Sequence, residues 1–246
     1  MDAESRGPGS VASPDPSSVL SRYPHLSTAI VATAGRRLNV AVRIAPPAIR
    51  PLQPGQRVFG CVAPVRYYGS LDAILEAIQQ ASPGDVLVID NKGRTYESCI
   101  DHVTVLEALS AGMAGAIVWG AHRDTEELAA LEFPLFSCGS FPAGPHQVRN
   151  TPPDALAAAR IGSRVATRDD VVFADSDGIV FVPFVRLGDV VETARAISLD
   201  ERQQKAAVRA GTSLREQFAF QDFLAQRIAD PTYTLARHLR ARRGTS

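Results

Sequence analysis

Cysteine is scarce in this chain, and the little it has does not pair by spacing. Cys61, Cys99 and Cys138 are odd in number, far apart and without a C-x-x-C pair, which argues against a disulfide framework and against a structural zinc site. An excess of either charge is lacking too. Lys plus Arg total 26 and Asp plus Glu total 26, so no global field draws the protein to nucleic acid or to an anionic membrane. No apolar run reaches the ~18 residues needed to cross a bilayer, and the first residues lack the basic-then-apolar order of a signal peptide. These absences predict a cytoplasmic protein with no membrane contact and no nucleic-acid partner. A small molecule is the expected substrate.

What is present is enough for a core. A chain of 246 residues with 45% hydrophobic content can bury one large domain with appendages. The opening "MDAESRGPGSVASPDPSS" is rich in Ser, Pro and Gly and poor in large apolar residues, so residues 1–24 are expected to be a disordered tail. Over residues 25–185, apolar segments of strand and helix period alternate, predicting an α/β core. Residues 186–246 read as a helical arm.

Within the core, Ser70 is placed before a helix "LDAILEAI", whose face is marked by Leu71, Ile74, Leu75 and Ile78, and "PGD" turns the chain into a strand "VLVID". Lys92 and Arg94, in "DNKGRTYE", are expected on a loop after that strand, at the strand end where α/β sites gather. "HVTVLEALSAG" predicts a helix closing at Gly112, followed by the buried strand "GAIVW" and then Arg123-Asp124. Asp124, with Glu127 three residues on, fits a helix-capping Asp; equally, a carboxylate there could hold a hard divalent cation while Arg123 makes a two-pronged contact to a substrate carboxylate. His122, Cys99 and Cys138 are read as packing residues. "DDVVFADSDGIVFVP" predicts two strands joined by a hairpin at Asp175 to Gly178, rather than a calcium loop.

Seven blocks occur in order: "LSTAIVATAGRRLNV", "IRPLQPGQRVFGCVAPV", "PGDVLVIDNKGRT", "GMAGAIVWGAHRD", "PLFSCGSFPAGP", "DDVVFADSDGIVFVP" and "DPTYTLARHLR". Together they resemble the family of the regulator of ribonuclease activity A and the bacterial 4-hydroxy-4-methyl-2-oxoglutarate aldolases, over roughly residues 25 to 240. The resemblance implies a swivelling β/β/α-type single domain with the C-terminal helical arm at a subunit interface, assembled as a homotrimer or hexamer. It also implies Mg²⁺ or Mn²⁺ at Asp124, Arg123 on the substrate, and retro-aldol cleavage or decarboxylation of a small oxo-acid through a metal-stabilised enolate. Val103 and Thr104, at the start of the preceding helix, join the implied substrate contacts.

Three positions depart from the family pattern. Asp101 stands where Gly is usual, at a helix start whose N–H groups receive the substrate carboxylate; an Asp would cap that helix itself and repel an anion. His102 replaces an acidic residue, and Thr33 an Asp. If Asp101 and His102 weaken the metal and oxo-acid sites, two other readings follow. His102 could act as a proton donor or acceptor, with Asp101 or Asp124 orienting it, in a repurposed metal-independent cyclase, isomerase or lyase of specialised metabolism. Otherwise the protein is a non-catalytic regulator that binds another protein.

In the arm, Leu214, Phe218, Phe220, Phe223, Leu224 and Ile228 are expected to form an apolar face, with Asp230-Pro231 interrupting the helix. The basic end, Arg237, Arg240, Arg242 and Arg243, is read as a solvated tail.

Overall fold

A computed structural model of the chain describes residues 26–243; the expected tail lies outside them. The chain runs α1 (Thr28–Arg37), β1 (Arg43–Ile44), β2 (Arg50–Pro51), β3 (Val58–Arg66), α2 (Asp72–Gln80), β4 (Val86–Ile100), α3 (His102–Ser110) and β5 (Gly115–His122). It continues through α4 (Thr125–Ala129), β6 (Leu135–Ser137), β7 (Ala159–Ile161), β8 (Arg164–Ala166), β9 (Asp170–Asp175) and β10 (Gly178–Pro183) to the helices α5 (Leu187–Arg209), α6 (Leu214–Gln217), α7 (Phe220–Ala229) and α8 (Leu235–Arg243). Eight strands form one mixed sheet in the order β1-β10-β9-β3-β4-β5-β6-β2. Strands β3, β4, β5 and β6 run parallel, because α2, α3 and α4 return the chain between them.

Strand period explains how one sheet carries two apolar layers. Leu87 and Ile89 of β4 join Val65, Ile74, Ile78 and Val105 on one face, while Val86 and Val88 join Val62, Ile117, Phe136 and Phe181 on the other. Ala159, Ile161 and Ala166 of the β7–β8 hairpin belong to the second layer. Strands buried on both faces must be apolar throughout, hence the run "VLVI".

Two local expectations are corrected. Helix α2 begins at Asp72 after Leu71, with no side-chain cap; Ser70 instead hydrogen-bonds to Asp72. Its buried face is Ala73, Ile74, Ala77 and Ile78, whereas Leu71 and Leu75 are exposed. The short residues lie inward because α2 packs close to β3. The second correction concerns "DNKGRTYE", which is no loop but the irregular middle of the 15-residue β4. Its register against β5 slips between Asp90 and Arg94 and twice more before Ile100, so the strand bows outward and then rejoins. Gly93, at φ +70°, lies so near Trp119 that an added Cβ would sit 2.7 Å from its ring. The predicted hairpin at Asp175 to Gly178 joins β9 to β10. Asp175 accepts the Asp177 N–H at 2.9 Å and holds Thr28 through both its N–H and its hydroxyl.

Contacts divide the chain into two compact units at Arg195/Ala196, within α5. In the second unit, Phe223 lies near Phe220, Tyr233 and His238, with ring centroids 5.4, 6.2 and 5.9 Å away. Of the predicted apolar face, Phe223 is buried, but Leu214 and Ile228 are exposed. Helix α7 ends at Ala229, one residue before Asp230-Pro231, and Arg237 pairs with Asp230 at 3.1 Å. No helix among the described residues is long and apolar enough to cross a membrane.

Candidate functional site

The carboxyl ends of β4 and β5 bring two dipeptides together. Ile100 ends β4 and His122 ends β5, and the two are paired in register. The Arg123 N–H donates to the Ile100 carbonyl at 3.1 Å. Asp101-His102 and Arg123-Asp124 therefore leave adjacent parallel strands side by side, although they lie more than twenty residues apart in the chain.

Asp101 is the N-cap of α3. Its Oδ1 accepts the Thr104 N–H at 3.0 Å and the Thr104 hydroxyl at 2.7 Å, and its Oδ2 accepts Arg123 Nη2 at 2.5 Å. Burial pushes this carboxyl upward, but the Thr104 hydrogen bonds and the Arg123 charge outweigh it and hold it below the usual range. Reciprocally, the hydrogen bond to Asp101 raises the Arg123 guanidinium. Three donors that would grip an external carboxylate are thus met by a carboxylate of the chain itself.

Asp124 does not cap by its side chain. Its backbone is left-handed, φ 60° and ψ 45°, and α4 begins after it with no side-chain cap bond. Instead, Oδ2 accepts the His102 N–H at the start of α3, at 3.3 Å, with Arg123 Nε 4.0 Å away. Its side chain is 41% exposed. The imidazole of His102 makes no hydrogen bond or ion pair among the described residues; Asp101 and Asp124 are engaged elsewhere, so neither orients it. Val103 is exposed, whereas Thr104 is buried.

Behind the pair, His122 is buried, with Nδ1 2.7 Å from the Ser137 hydroxyl and Nε2 3.1 Å from that of Thr125. Desolvation draws its pKa below the ordinary histidine value. It packs and fixes the end of β5. Cys99 is buried, and burial pushes its thiol well up; the same cause raises Cys138. Thr33 sits on α1, which packs on β9 and β10, so this chain does not bring it to Arg123.

Lys92 and Arg94 form a separate group. They line a cavity of about 240 Å³ with Tyr67, Tyr68, Tyr96 and Arg149, and none of Asp101, His102, Arg123 or Asp124 lines it. Tyr67 connects the two places electrostatically. Burial, with the nearby Glu97 and Asp101, pushes its phenol up to about 12, against an opposing pull from Arg123. The sequence reading missed the tyrosines and Arg149. The available signal was position: Tyr67-Tyr68 directly follows the parallel strand β3, at its carboxyl end.

Comparison with known proteins places the chain in a family and a fold. The sequence pattern of the RraA-like family, described as Aldolase/RraA, matches residues 28–181. A Halalkalibacterium halodurans protein named "Putative 4-hydroxy-4-methyl-2-oxoglutarate aldolase" is 30% identical over 165 residues, covering 65% of this chain and 76% of that protein. Protein DlpA of Legionella pneumophila is 26% identical over 176 residues, which is 69% of this chain but 28% of that protein's length. Among solved structures, an uncharacterized Pseudomonas syringae protein aligns with TM-score 0.72 and 28% identity, over 82% of this chain and 98% of its own. Streptomyces coelicolor RraAS2 shares the fold, with TM-score 0.67 and 24% identity, over 80% of this chain and 97% of its own.

Proposed function

The chain belongs to the RraA-like family, and from that premise we propose that it is a carbon–carbon lyase acting on a small carbonyl substrate, by retro-aldol cleavage or decarboxylation. The observation that carries this reading is the convergence of Arg123, Asp124 and the first turn of α3 at the ends of two parallel strands.

Asp124 is the residue that would hold Mg²⁺ or Mn²⁺. Its carboxylate is partly exposed and keeps Oδ1 outside its one hydrogen bond, and no group of three or more His, Cys, Asp or Glu suited to a metal exists among the described residues. The open Oδ1 would give a hard cation one carboxylate ligand, with water completing its shell, the usual habit of Mg²⁺. Such an ion would stabilise the negative charge that builds on the substrate oxygen as the bond breaks. Arg123 orients the substrate, and the His102 N–H holds Asp124 in place.

Asp101 sets the limits of this chemistry. A substrate carboxylate reaching for Arg123 and the α3 amides must displace Asp101, so simple oxo-acids bind weakly and the preferred substrate places its acid group elsewhere. The exposed apolar side chains of Val103, Leu106 and Leu109 on α3 support a second copy completing the pocket in a homotrimer or hexamer. One further reading has an observation behind it: the unpaired His102 imidazole is available for metal-independent acid–base chemistry.

The test is pyruvate release from oxaloacetate and from 4-hydroxy-4-methyl-2-oxoglutarate, with Mg²⁺ and with chelator. Metal-stimulated release that disappears in Asp124→Ala is expected. Turnover that survives chelation and is lost in His102→Ala selects the acid–base reading. Because Asp101 weakens oxo-acid binding, both compounds are supplied at high concentration; no turnover of either under those conditions, by a folded protein, overturns the lyase proposal.

A further inference from the structure

We propose that the cavity between Tyr67, Tyr68 and Tyr96 is a binding site for a single-ring aromatic carboxylate, gripped by Lys92 and Arg149. Three observations converge on it.

The first is charge. Arg94 is already spent: its Nε pairs with Glu97 at 2.9 Å and also donates to the Asn91 side-chain oxygen at 3.0 Å. Glu97 is buried, and its other carboxylate oxygen accepts the His146 N–H at 3.4 Å. One cation and one anion cancel. Lys92 and Arg149 remain, and among the described residues neither has an ion-pair partner; Arg149 donates to the neutral Gln147 side chain at 3.0 Å. Among its lining side chains the cavity therefore carries more positive than negative charge, which favours an anion over a metal cation.

The second is shape. At about 240 Å³ there is room for one small ring and its acid group but not for a dinucleotide. Tyr67, Tyr68 and Tyr96 line it beside the charged groups, and a tyrosine ring, apolar on its face and polar at its tip, is a group against which an aromatic ring can pack. Tyr67 stays a neutral phenol and can donate a hydrogen bond. Arg149 offers a planar fork that matches a carboxylate, and Lys92 a point charge beside it.

The third is a fixed base beneath the lysine. Lys92 has a left-handed backbone, φ 58°, and its N–H is tied to Asp90 Oδ1 at 2.8 Å. Asp90 Oδ2 in turn accepts the Arg160 N–H at 3.1 Å. Lys92 thus projects from an anchored bow in β4 rather than from a free loop.

No residue assigned to bond cleavage lines this cavity, so the proposal stands whether or not the lyase reading does. Calorimetric titration of the full chain with benzoate tests it, with benzamide as the neutral isostere and inorganic phosphate as the non-aromatic anion. Benzoate should bind, benzamide should bind about tenfold more weakly or worse, and Lys92→Gln and Arg149→Gln should each cost benzoate about tenfold, the usual worth of one charge-assisted hydrogen bond. Asp124→Ala should leave benzoate binding unchanged. Equal binding of benzoate and benzamide, phosphate competing as well as benzoate does, or an undiminished affinity in the folded double variant would each overturn the proposal, as would the absence of benzoate binding.

Discussion

Removing the Asp101 carboxylate should cost stability in a way that separates its two duties. In Asp101→Ala, α3 loses its N-cap, worth about 1 kcal/mol. The Thr104 hydroxyl, buried with its residue 4% exposed, loses its acceptor, worth about 1 kcal/mol more. The ion pair to Arg123 joins side chains 41% and 22% exposed, so solvent screening limits it to about 0.2–1 kcal/mol. Together these give about 2–3 kcal/mol. Asp101→Asn keeps an oxygen for the cap and for Thr104 but gives up the charge and the hydrogen bond from Arg123, so it should cost about 1 kcal/mol, well below the alanine penalty. The pH dependence has a definite sign. Because the folded carboxyl lies below its ordinary value, its contribution is complete above the unfolded value, about pH 4, and is lost as pH falls through the folded value. Urea unfolding of the full chain at neutral and acid pH measures both effects. An Asp101→Asn variant as damaged as Asp101→Ala, or an alanine penalty undiminished in acid, would refute the assignment of capping and pairing to this one carboxylate.

Gly93→Ala should destabilise the protein by about 2–4 kcal/mol, since it combines a left-handed backbone with an overpacked contact to Trp119; a thermal midpoint close to the parent's would show that the bow of β4 relaxes freely. His122 predicts a slope at mild acidity. Its folded pKa is depressed by burial, so its share of stability is complete above about pH 6.5 and is lost as pH falls through the lowered value. Thermal midpoints between neutral and mildly acid pH should decline in the parent and less so in His122→Gln; identical slopes would count against it.

Fold and site were legible to different degrees. The parallel strands declared themselves, since residues such as Val86 to Ile89 face apolar layers on both sides and must be apolar without alternation. The hairpin at Asp175 was equally plain from its turn residues. Beyond Asp90 the signal failed: polar "NKGRTYE" is compatible with a loop, and only pairing with β5 across three register slips keeps it in the sheet. The face of α2 was misjudged because close approach to the sheet selects Ala73 and Ala77 over the larger Leu71 and Leu75, and local hydrophobicity does not record distance. Asp124 was ambiguous for a similar reason. Spacing to Glu127 suggests a cap, but the left-handed backbone sends its carboxylate to the His102 N–H, a partner that becomes near only when β4 and β5 pair.

Asp101 shows how one carboxylate can serve the scaffold and fill a site at once. Resemblance places glycine there, and glycine and aspartate both serve at an N-cap, aspartate better by a few tenths of a kcal/mol. The acid therefore strengthens the start of α3 while its own oxygens take the donors of Thr104 and Arg123. The contacts that stabilise the helix start thus leave the Thr104 and Arg123 donors already satisfied. Arg123 keeps a partner, Asp124 keeps its amide, and neither is left as a buried unpaired charge. In the other cleft, Lys92 projects from β4 and Arg149 from an irregular segment, and neither has an ion-pair partner among the described residues. On the proposal above, an external anion is expected at the tyrosine-lined cavity rather than at the helix start, where Asp101 already occupies the Thr104 and Arg123 donors.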